Sequence, residues 1–162
     1  PLAETSYKEL KKFYPKTANY KTLRAEISLA FIYLKQKELD KTLTLIDSIV
    51  KGLKTFYKKN NESPLQVWPH ILLGELYEKQ NNLSEALSEY KKAESICKSL
   101  YSTIEVDDIS YIYKNLSLLG AKMKDERLLK MYLNLLITHF GLTHPRTTQT
   151  IQTLDDQDID SV

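Results

Sequence analysis

Apolar residues recur along this chain at spacings of three and four residues, and no stretch of useful length alternates with a period of two. The first spacing places apolar side chains on one face of an α-helix, whereas alternation would indicate a β-strand. Polar, Asn-rich or Pro-containing breaks separate the periodic segments. We therefore predict an all-α protein with helices at 4–14, 17–36, 39–59, 65–80, 83–101, 107–122, 125–139 and 145–156.

The predicted helices form pairs that resemble one another. The turns after the second, fourth and sixth helices are only a few residues long, which is typical of antiparallel helix pairs. A small residue recurs in the first helix of each pair, at Ala30, Gly74 and Ser117, 44 and then 43 residues apart. Small residues allow two helix backbones to approach where they cross. An aromatic one turn later, Tyr33 or Tyr77, is expected to fill the space between pairs.

The second helices of the pairs also match, and their starts carry capping signals. Asn82 precedes Glu85 in the manner of a capping box, and Asp125 stands where an N-cap is expected. Two features depart from the pattern, because Pro69 falls early in the fourth helix and Gly120 replaces the aromatic in the third pair. The matching second-helix positions, with a one-residue slip of the last set left open, are Thr42, Ile46 and Ile49, then Ala86, Tyr90 and Ala93, then Leu129, Leu133 and Leu136.

The second pair carries the clearest motif, in which Gly74 and Tyr77 are followed by the Ala86-x-x-x-Tyr90 pattern. This motif resembles a tetratricopeptide repeat. The period exceeds the usual 34 residues and is similar to the roughly 42-residue repeats of kinesin light chains. Those repeats often end in Gly-x-x-His-Pro, which residues 141–145 match and 60–64 match more weakly.

The resemblance implies a single domain over residues 1–162, built as an α-solenoid of stacked antiparallel helix hairpins. Tyr7, Leu10 and Tyr14 give the first helix one apolar face, which we expect to close the stack at that end. The chain begins at Pro1, which fits a piece of a longer protein and equally fits methionine removal. The predicted divisions are an N-terminal helix at 1–16, repeats at 20–60, 64–103 and 107–141, a capping helix at 144–157 and a tail at 158–162.

Composition and charge narrow the function. The formal net charge is +2, too small to produce the field that nucleic-acid binding usually requires. The longest apolar runs, such as 71–73, fall far short of the ~20 residues that span a bilayer. Cys97 is the only cysteine, so an internal disulfide is excluded. We expect a cytoplasmic protein that contacts neither nucleic acid nor a membrane.

Signals for catalysis are sparse. Phosphate-binding glycine loops, nucleophile elbows and His-Glu-x-x-His are absent from the sequence. His139 and His144 lack a nearby cysteine or a carboxylate at ligand spacing, so we expect no metal site. Cys97 fits either a buried small hydrophobe or a reactive thiol, with the first favoured. The acidic run at 155–160 is expected to be a solvated end. We expect no enzyme activity and no cofactor.

Tetratricopeptide domains usually bind partners in the concave groove lined by the first helices of the pairs. The resemblance therefore implies an interaction module or scaffold whose partner is another protein or a peptide. Trp68 is the best candidate anchor, and core packing between pairs is an equal alternative for it. The residues expected on the groove face are Arg24, Ile27, Phe31, Leu34, Lys35, Trp68, Ile71, Glu75, Glu78, Lys79, Tyr111, Lys114, Leu118 and Ala121.

Other uses of such repeats remain open. The clamp that captures chaperone carboxyl termini is not expected, because Ile27, Phe31 and Glu75 occupy the corresponding places. The repeats are also similar to peptide-sensing domains of some bacterial transcription regulators. The closing segment resembles the helical lobe of SET-and-MYND lysine methyltransferases. Self-association through the ends of the stack is a further alternative.

Overall fold

A computed structural model describes residues 2–13, 20–56, 63–100 and 106–159 of the chain. These residues form eight α-helices and one short 3₁₀ turn, without a β-strand, which confirms the all-α prediction. The predicted boundaries at 14–19, 57–62 and 101–105 lie outside the described residues. The helices are α1 Leu2–Phe13, α2 Tyr20–Lys35, α3 Leu39–Phe56, α4 Val67–Lys79, α5 Leu83–Ser99, α6 Val106–Lys122, α7 Glu126–Phe140 and α8 Pro145–Ile159.

The helices pack mainly as consecutive pairs, α2 with α3, α4 with α5, and α6 with α7. Contacts of α2 with α4 and of α5 with α6 join the pairs, while α1 lies on α2 and α8 lies on α6 and α7. One apolar cluster is shared by α2, α3 and α4, and a second by α4 to α7. Phe31, Trp68 and Tyr77 contact both clusters and therefore join them.

The three short turns within the pairs have the same construction. Lys37, Asn81 and Lys124 adopt positive φ angles of 61°, 61° and 56°. In each turn the next N–H donates to the carbonyl five residues earlier, at N–O distances of 2.9, 2.8 and 2.9 Å. This is the Schellman arrangement that ends many helices. The turns repeat after 44 and 43 residues, the same period as the small residues.

Helix starts follow the sequence prediction in part. Asp125 caps α7, since its Oδ1 accepts from the N–H of Leu128 at 3.0 Å. The predicted capping box at Asn82 is wrong, because the Asn82 side chain makes no cap hydrogen bond. The N–H of Asn82, which Glu85 would accept from, already donates to Tyr77 in the Schellman turn. The turn geometry therefore replaces the box.

Pro69 is accommodated because α4 begins late. The N–H of Leu65 donates to the hydroxyl of Ser63, which caps a 3₁₀ turn at Pro64–Gln66. The α-helix begins at Val67, so Pro69 lies in its first turn. Backbone N–H groups in a first turn have no partner within the helix, so a proline costs little there.

The recurring small residues Ala30, Gly74 and Ser117 are all buried. Gly74 and Ser117 lie against the second helix of their pair. A Cβ at residue 74 would stand 2.4 to 2.8 Å from ring atoms of Tyr90, which is fully buried. In the third pair a Cβ at Gly120 would meet the backbone nitrogen of Leu129 at 2.5 Å. Gly120 replaces the aromatic because the α7 backbone occupies the space that an aromatic would need.

The buried face of α7 is rotated relative to the sequence alignment. Leu128, Tyr132 and Leu136 are buried there, whereas Leu129 and Leu133 are only half-buried. In α3 and α5 the predicted positions Thr42, Ile46, Ile49, Ala86, Tyr90 and Ala93 are all buried. The buried positions are therefore one residue earlier than the alignment at Leu128 and Tyr132, whereas Leu136 is buried as aligned.

We expect Gly74→Ala to destabilise the protein, although alanine is the better helix former. Crowding of the new methyl group against a buried ring destabilises the protein by about 1–3 kcal/mol. The higher helix propensity of alanine stabilises it by up to about 1 kcal/mol. Urea unfolding of Gly74→Ala, Tyr90→Leu and the double variant measures the coupling between the two sites. Gly74→Ala should lower the free energy of unfolding by less in the Tyr90→Leu background than in the wild type. An equal loss in both backgrounds would show that the ring is not the obstacle.

Lys124→Gly should stabilise the protein, because a left-handed conformation costs an ordinary residue about 1–2 kcal/mol and glycine gives back about 0.5–1 kcal/mol in backbone entropy. The expected net gain is below about 1 kcal/mol. Lys51→Gly, at an exposed position inside α3, is the matched control and should lose about 1 kcal/mol. Thermal unfolding measures both; a loss in both variants would contradict the turn geometry.

Candidate functional site

Three aromatic side chains from the first helices of the pairs lie together. Phe31 of α2 meets Trp68 of α4 at a ring-centroid distance of 5.8 Å, with the rings nearly perpendicular. Tyr111 of α6 lies 6.3 Å from Phe31 and 6.2 Å from Trp68. Edge-to-face contacts at these distances are favourable, and all three side chains remain partly exposed. We call Phe31, Trp68 and Tyr111 the aromatic triad.

Two clefts adjoin the aromatic triad. The apolar cleft, of about 340 Å³, lies toward the amino-terminal ends of α2 and α4. Its residues are Tyr20, Arg24, Ile27, Ser28, Phe31, Pro64, Leu65, Trp68 and Asp108. The charged cleft, of about 400 Å³, lies between α4 and α6. Its residues are Glu75, Glu78, Lys79, Tyr111, Lys114, Asn115, Leu118 and Lys122.

Glu75 organises the inner wall of the charged cleft. Its Oε1 accepts hydrogen bonds from the hydroxyl of Tyr111 and, at 3.4 Å, from Nδ2 of Asn115. Burial raises the pKa of Glu75, an effect that exceeds the opposing influence of Tyr111 and of Lys114. Burial and the nearby Glu75 carboxylate likewise raise the pKa of the Tyr111 hydroxyl. Both groups are therefore shifted toward their protonated forms.

Glu78 connects the charged cleft to the helix crossing beneath it. The hydroxyl of Tyr90 donates to Oε1 of Glu78 at 2.6 Å, and Lys122 of α6 pairs with Oε2. Burial, together with the Glu78 carboxylate, raises the pKa of Tyr90 well above its usual value. The position of the cleft wall therefore depends on the same tyrosine ring that packs over Gly74.

Two cations lie near the ring of Tyr111. The Nζ of Lys114 is 4.7 Å and the Cζ of Arg146 is 4.6 Å from the ring centroid. Burial lowers the pKa of Lys114, and Arg146 lowers it further, against the attraction of Glu75. The Nε of Arg146 is buried and has no hydrogen-bond partner among the described residues. This side of the cleft therefore carries concentrated positive charge.

Most predicted groove residues line one of the two clefts. Those in the apolar cleft are Arg24, Ile27, Phe31 and Trp68. Those in the charged cleft are Glu75, Glu78, Lys79, Tyr111, Lys114 and Leu118.

Four expected groove residues lie elsewhere. Leu34 and Ile71 are 1% and 0% exposed and belong to the core, so their placement on the groove face is wrong. Leu34 belongs to the cluster shared by α2, α3 and α4, and Ile71 to the cluster shared by α4 to α7. Lys35 is exposed at the end of α2, and Ala121 is half-buried; neither lines a cleft.

Sequence reasoning missed Asn115, Lys122 and Arg146. The first two lie on α6 at helical spacing from Tyr111, and both line the charged cleft. The part of α6 that lines this cleft is therefore longer than the predicted residues indicate. Arg146 comes from α8, which was treated only as a cap, and its place over Tyr111 depends on how α8 packs against α6. The adjacent Gly-x-x-His-Pro junction marks where α8 begins but does not indicate this contact.

Cys97 and the histidines have structural surroundings. Cys97 is 1% exposed, and burial, with Asp108 and Glu94 nearby, raises the pKa of its thiol to about 12, which favours the buried-hydrophobe interpretation. His70 Nδ1 lies 2.7 Å from Glu89. The Arg146 N–H donates to Nδ1 of His144 at the predicted helix junction. The described residues contain no group of three or more His, Cys, Asp or Glu placed to hold a metal ion.

Comparison with known proteins adds no assignment. Scans against protein-family models, curated proteins and solved structures each returned no match. Among the described residues, no helix has the length and apolar character needed to cross a bilayer.

Glu75→Gln is expected to change how stability depends on pH. The pKa of Glu75 is higher in the folded protein than its ordinary value of 4.5. The contribution of Glu75 to stability is therefore fully present at low pH, and it is lost as the pH rises from 4.5 through the higher folded pKa. Glu78 strengthens and Lys114 opposes this shift. The melting temperature of Glu75→Gln relative to the wild type should therefore increase between pH 4 and pH 7.

Glu126→Gln provides a control of opposite sign. Lys130 lowers the pKa of the exposed Glu126, so the stability contributed by this carboxyl increases as pH rises toward its ordinary value. The relative melting temperature of Glu126→Gln should fall slightly or stay level over the same range. The same trend in both variants would contradict the account of Glu75.

Proposed function

We propose that this protein is a tetratricopeptide-like solenoid that binds a segment of a partner protein across the aromatic triad and the two adjoining clefts. Support for the solenoid comes from the three like turns and the buried small residues, which share one period. Stacked helix pairs of this kind present the first helix of each pair along one surface. The triad draws one aromatic residue from each of α2, α4 and α6.

The observation that carries the proposal is the partly exposed aromatic triad between an apolar and a charged cleft. Aromatic side chains at the centre of a concave surface contribute most to binding when a partner excludes water from them. The apolar cleft is large enough for one bulky apolar side chain, with Ile27 and Leu65 at its base. An extended or helical segment with such a side chain would therefore lie against α2 and α4.

The charge of the charged cleft indicates which type of residue in the bound segment would lie beside its bulky apolar residue. Lys79, Lys114 and Lys122 line the cleft, and Arg146 lies beside it over Tyr111. Against these four cations the cleft has two carboxylates, one of which already pairs with Lys122. The excess of positive charge favours a segment with an acidic residue near its apolar anchor.

Selection from a library of displayed random peptides would test this proposal. Peptides selected on the wild type should combine a bulky apolar residue with an acidic one. The Phe31→Ala/Trp68→Ala variant should weaken their binding by at least about tenfold, since truncating a central aromatic typically costs 1 kcal/mol or more. Titration calorimetry or fluorescence anisotropy measures the affinity.

Two further variants separate binding from folding. Leu43→Ala/Met131→Ala removes two side chains that are each 41% exposed on α3 and α7, and should leave affinity unchanged. Lys79→Glu alters an exposed side chain of the charged cleft and should weaken acidic peptides specifically. Thermal unfolding of each variant shows whether it is folded. If folded Phe31→Ala/Trp68→Ala binds the selected peptides as tightly as the wild type, the proposed surface is wrong.

A further inference from the structure

Lys114 differs from the surface lysines in its surroundings. It is half-buried in the charged cleft, and no carboxylate lies within ion-pair distance of its Nζ among the described residues. Its closest aromatic neighbour is the Tyr111 ring. By contrast, Lys92, Lys98 and Lys130 each pair with a carboxylate one helical turn away.

The charges that face Lys114 come from three other helices. Arg146 of α8 and Lys35 of α2 disfavour its ammonium form, while Glu75 and Glu78 of α4 favour it. Tyr111 and Asn115 of α6 already hold the Glu75 carboxylate by hydrogen bonds. Burial is the largest influence, so the pKa of Lys114 is lowered on balance. A lysine in a partly dry pocket beside another cation is a common arrangement for amine nucleophiles.

The cleft also has a preference for charge. Glu78 already pairs with Lys122, and Glu75 accepts from Tyr111 and Asn115. Lys79 on the cleft wall and Arg146 beside Tyr111 are the cations that remain to attract a small anion to the side of the cleft where Lys114 lies. Its volume of about 400 Å³ is within the range of small-molecule sites.

We propose that Lys114 is a covalent binding site for small aldehydes that carry an anionic group, which it captures as an imine. The inference is independent of peptide binding, since it concerns the reactivity of one amine.

The chemistry balances without an oxidant. The lone pair of Nζ forms a bond to the carbonyl carbon, and the electron pair of the C=O bond moves to oxygen, which takes up a proton to give a carbinolamine. Loss of the nitrogen proton and of the hydroxyl group as water then leaves a C=N bond.

Glyoxylate, an aldehyde with a carboxylate, is the probe. The folded full chain is incubated with glyoxylate and sodium cyanoborohydride, whose hydride reduces the imine carbon and fixes the adduct as a carboxymethyl-amine. Peptide mass mapping over time compares Lys114 with the exposed Lys54 of α3. Propanal, which lacks the anionic group, is the second arm. Lys114 should react severalfold faster than Lys54 with glyoxylate, and its preference for glyoxylate over propanal should exceed that of Lys54.

Two substitutions act in opposite directions. Arg146→Gln removes a neighbouring cation and should slow the reaction at Lys114, whereas Glu75→Gln removes an attraction for the ammonium form and should accelerate it at neutral pH. Lys114→Arg should abolish the adduct in this peptide while keeping the charge. Thermal unfolding checks that each variant folds.

Equal or slower reaction of Lys114 than of Lys54 in the folded wild type would overturn the proposal. An equal preference of Lys114 and Lys54 for glyoxylate would refute the anionic ligand class. Neither result bears on peptide selection, so failure here and failure of the proposed function are distinguishable.

Discussion

The packing of Tyr90 over Gly74 is the contact on which the rest of this structure depends. Its ring fills a space at the crossing of α4 and α5 that any larger residue at position 74 would occupy. The same tyrosine hydroxyl holds Glu78, which pairs with Lys122 of α6. One crossing thus sets the spacing of two helices, joins them to a third and positions a wall of the charged cleft. A close helix crossing and the candidate site are here parts of one arrangement.

Tyrosine–glutamate hydrogen bonds extend this principle through the fold. They join α1 to α2 twice, α4 to α5, α4 to α6, and α5 to α7. The chain contains 11 tyrosines, so it has unusual capacity for such bonds. A buried carboxylate without donors is costly, but a phenol offers a strong donor at the end of an apolar ring. Each pair therefore combines core packing with a directional contact that fixes helix register. The same chemistry in Glu75 and Tyr111 brings partly buried charge to the candidate site.

Much of the architecture was predictable from local periodicity. Helix positions, the small residues at crossings and most cleft residues follow from spacings of three, four and 44 residues along the sequence. The rest depended on tertiary packing. Helical spacing places Leu34 and Ile71 on the predicted groove face but cannot show that tertiary packing buries them in the core. Lys37 and Lys124 adopt a left-handed backbone conformation that a lysine in the sequence does not indicate. A glycine at these positions would have indicated it. Arg146 reaches Tyr111 only because α8 lies across α6, a contact that no local pattern specifies.

We infer that the first helices of the pairs form the partner-binding surface. Backbone amide chemical shifts, followed by NMR while a selected peptide is added to the isotope-labelled protein, locate the residues that the peptide contacts. We expect the largest shift changes in α2, α4 and α6, around Phe31, Trp68 and Tyr111, with smaller changes at the start of α8. Changes concentrated in α3, α5 and α7, with α2, α4 and α6 unaffected, would contradict it.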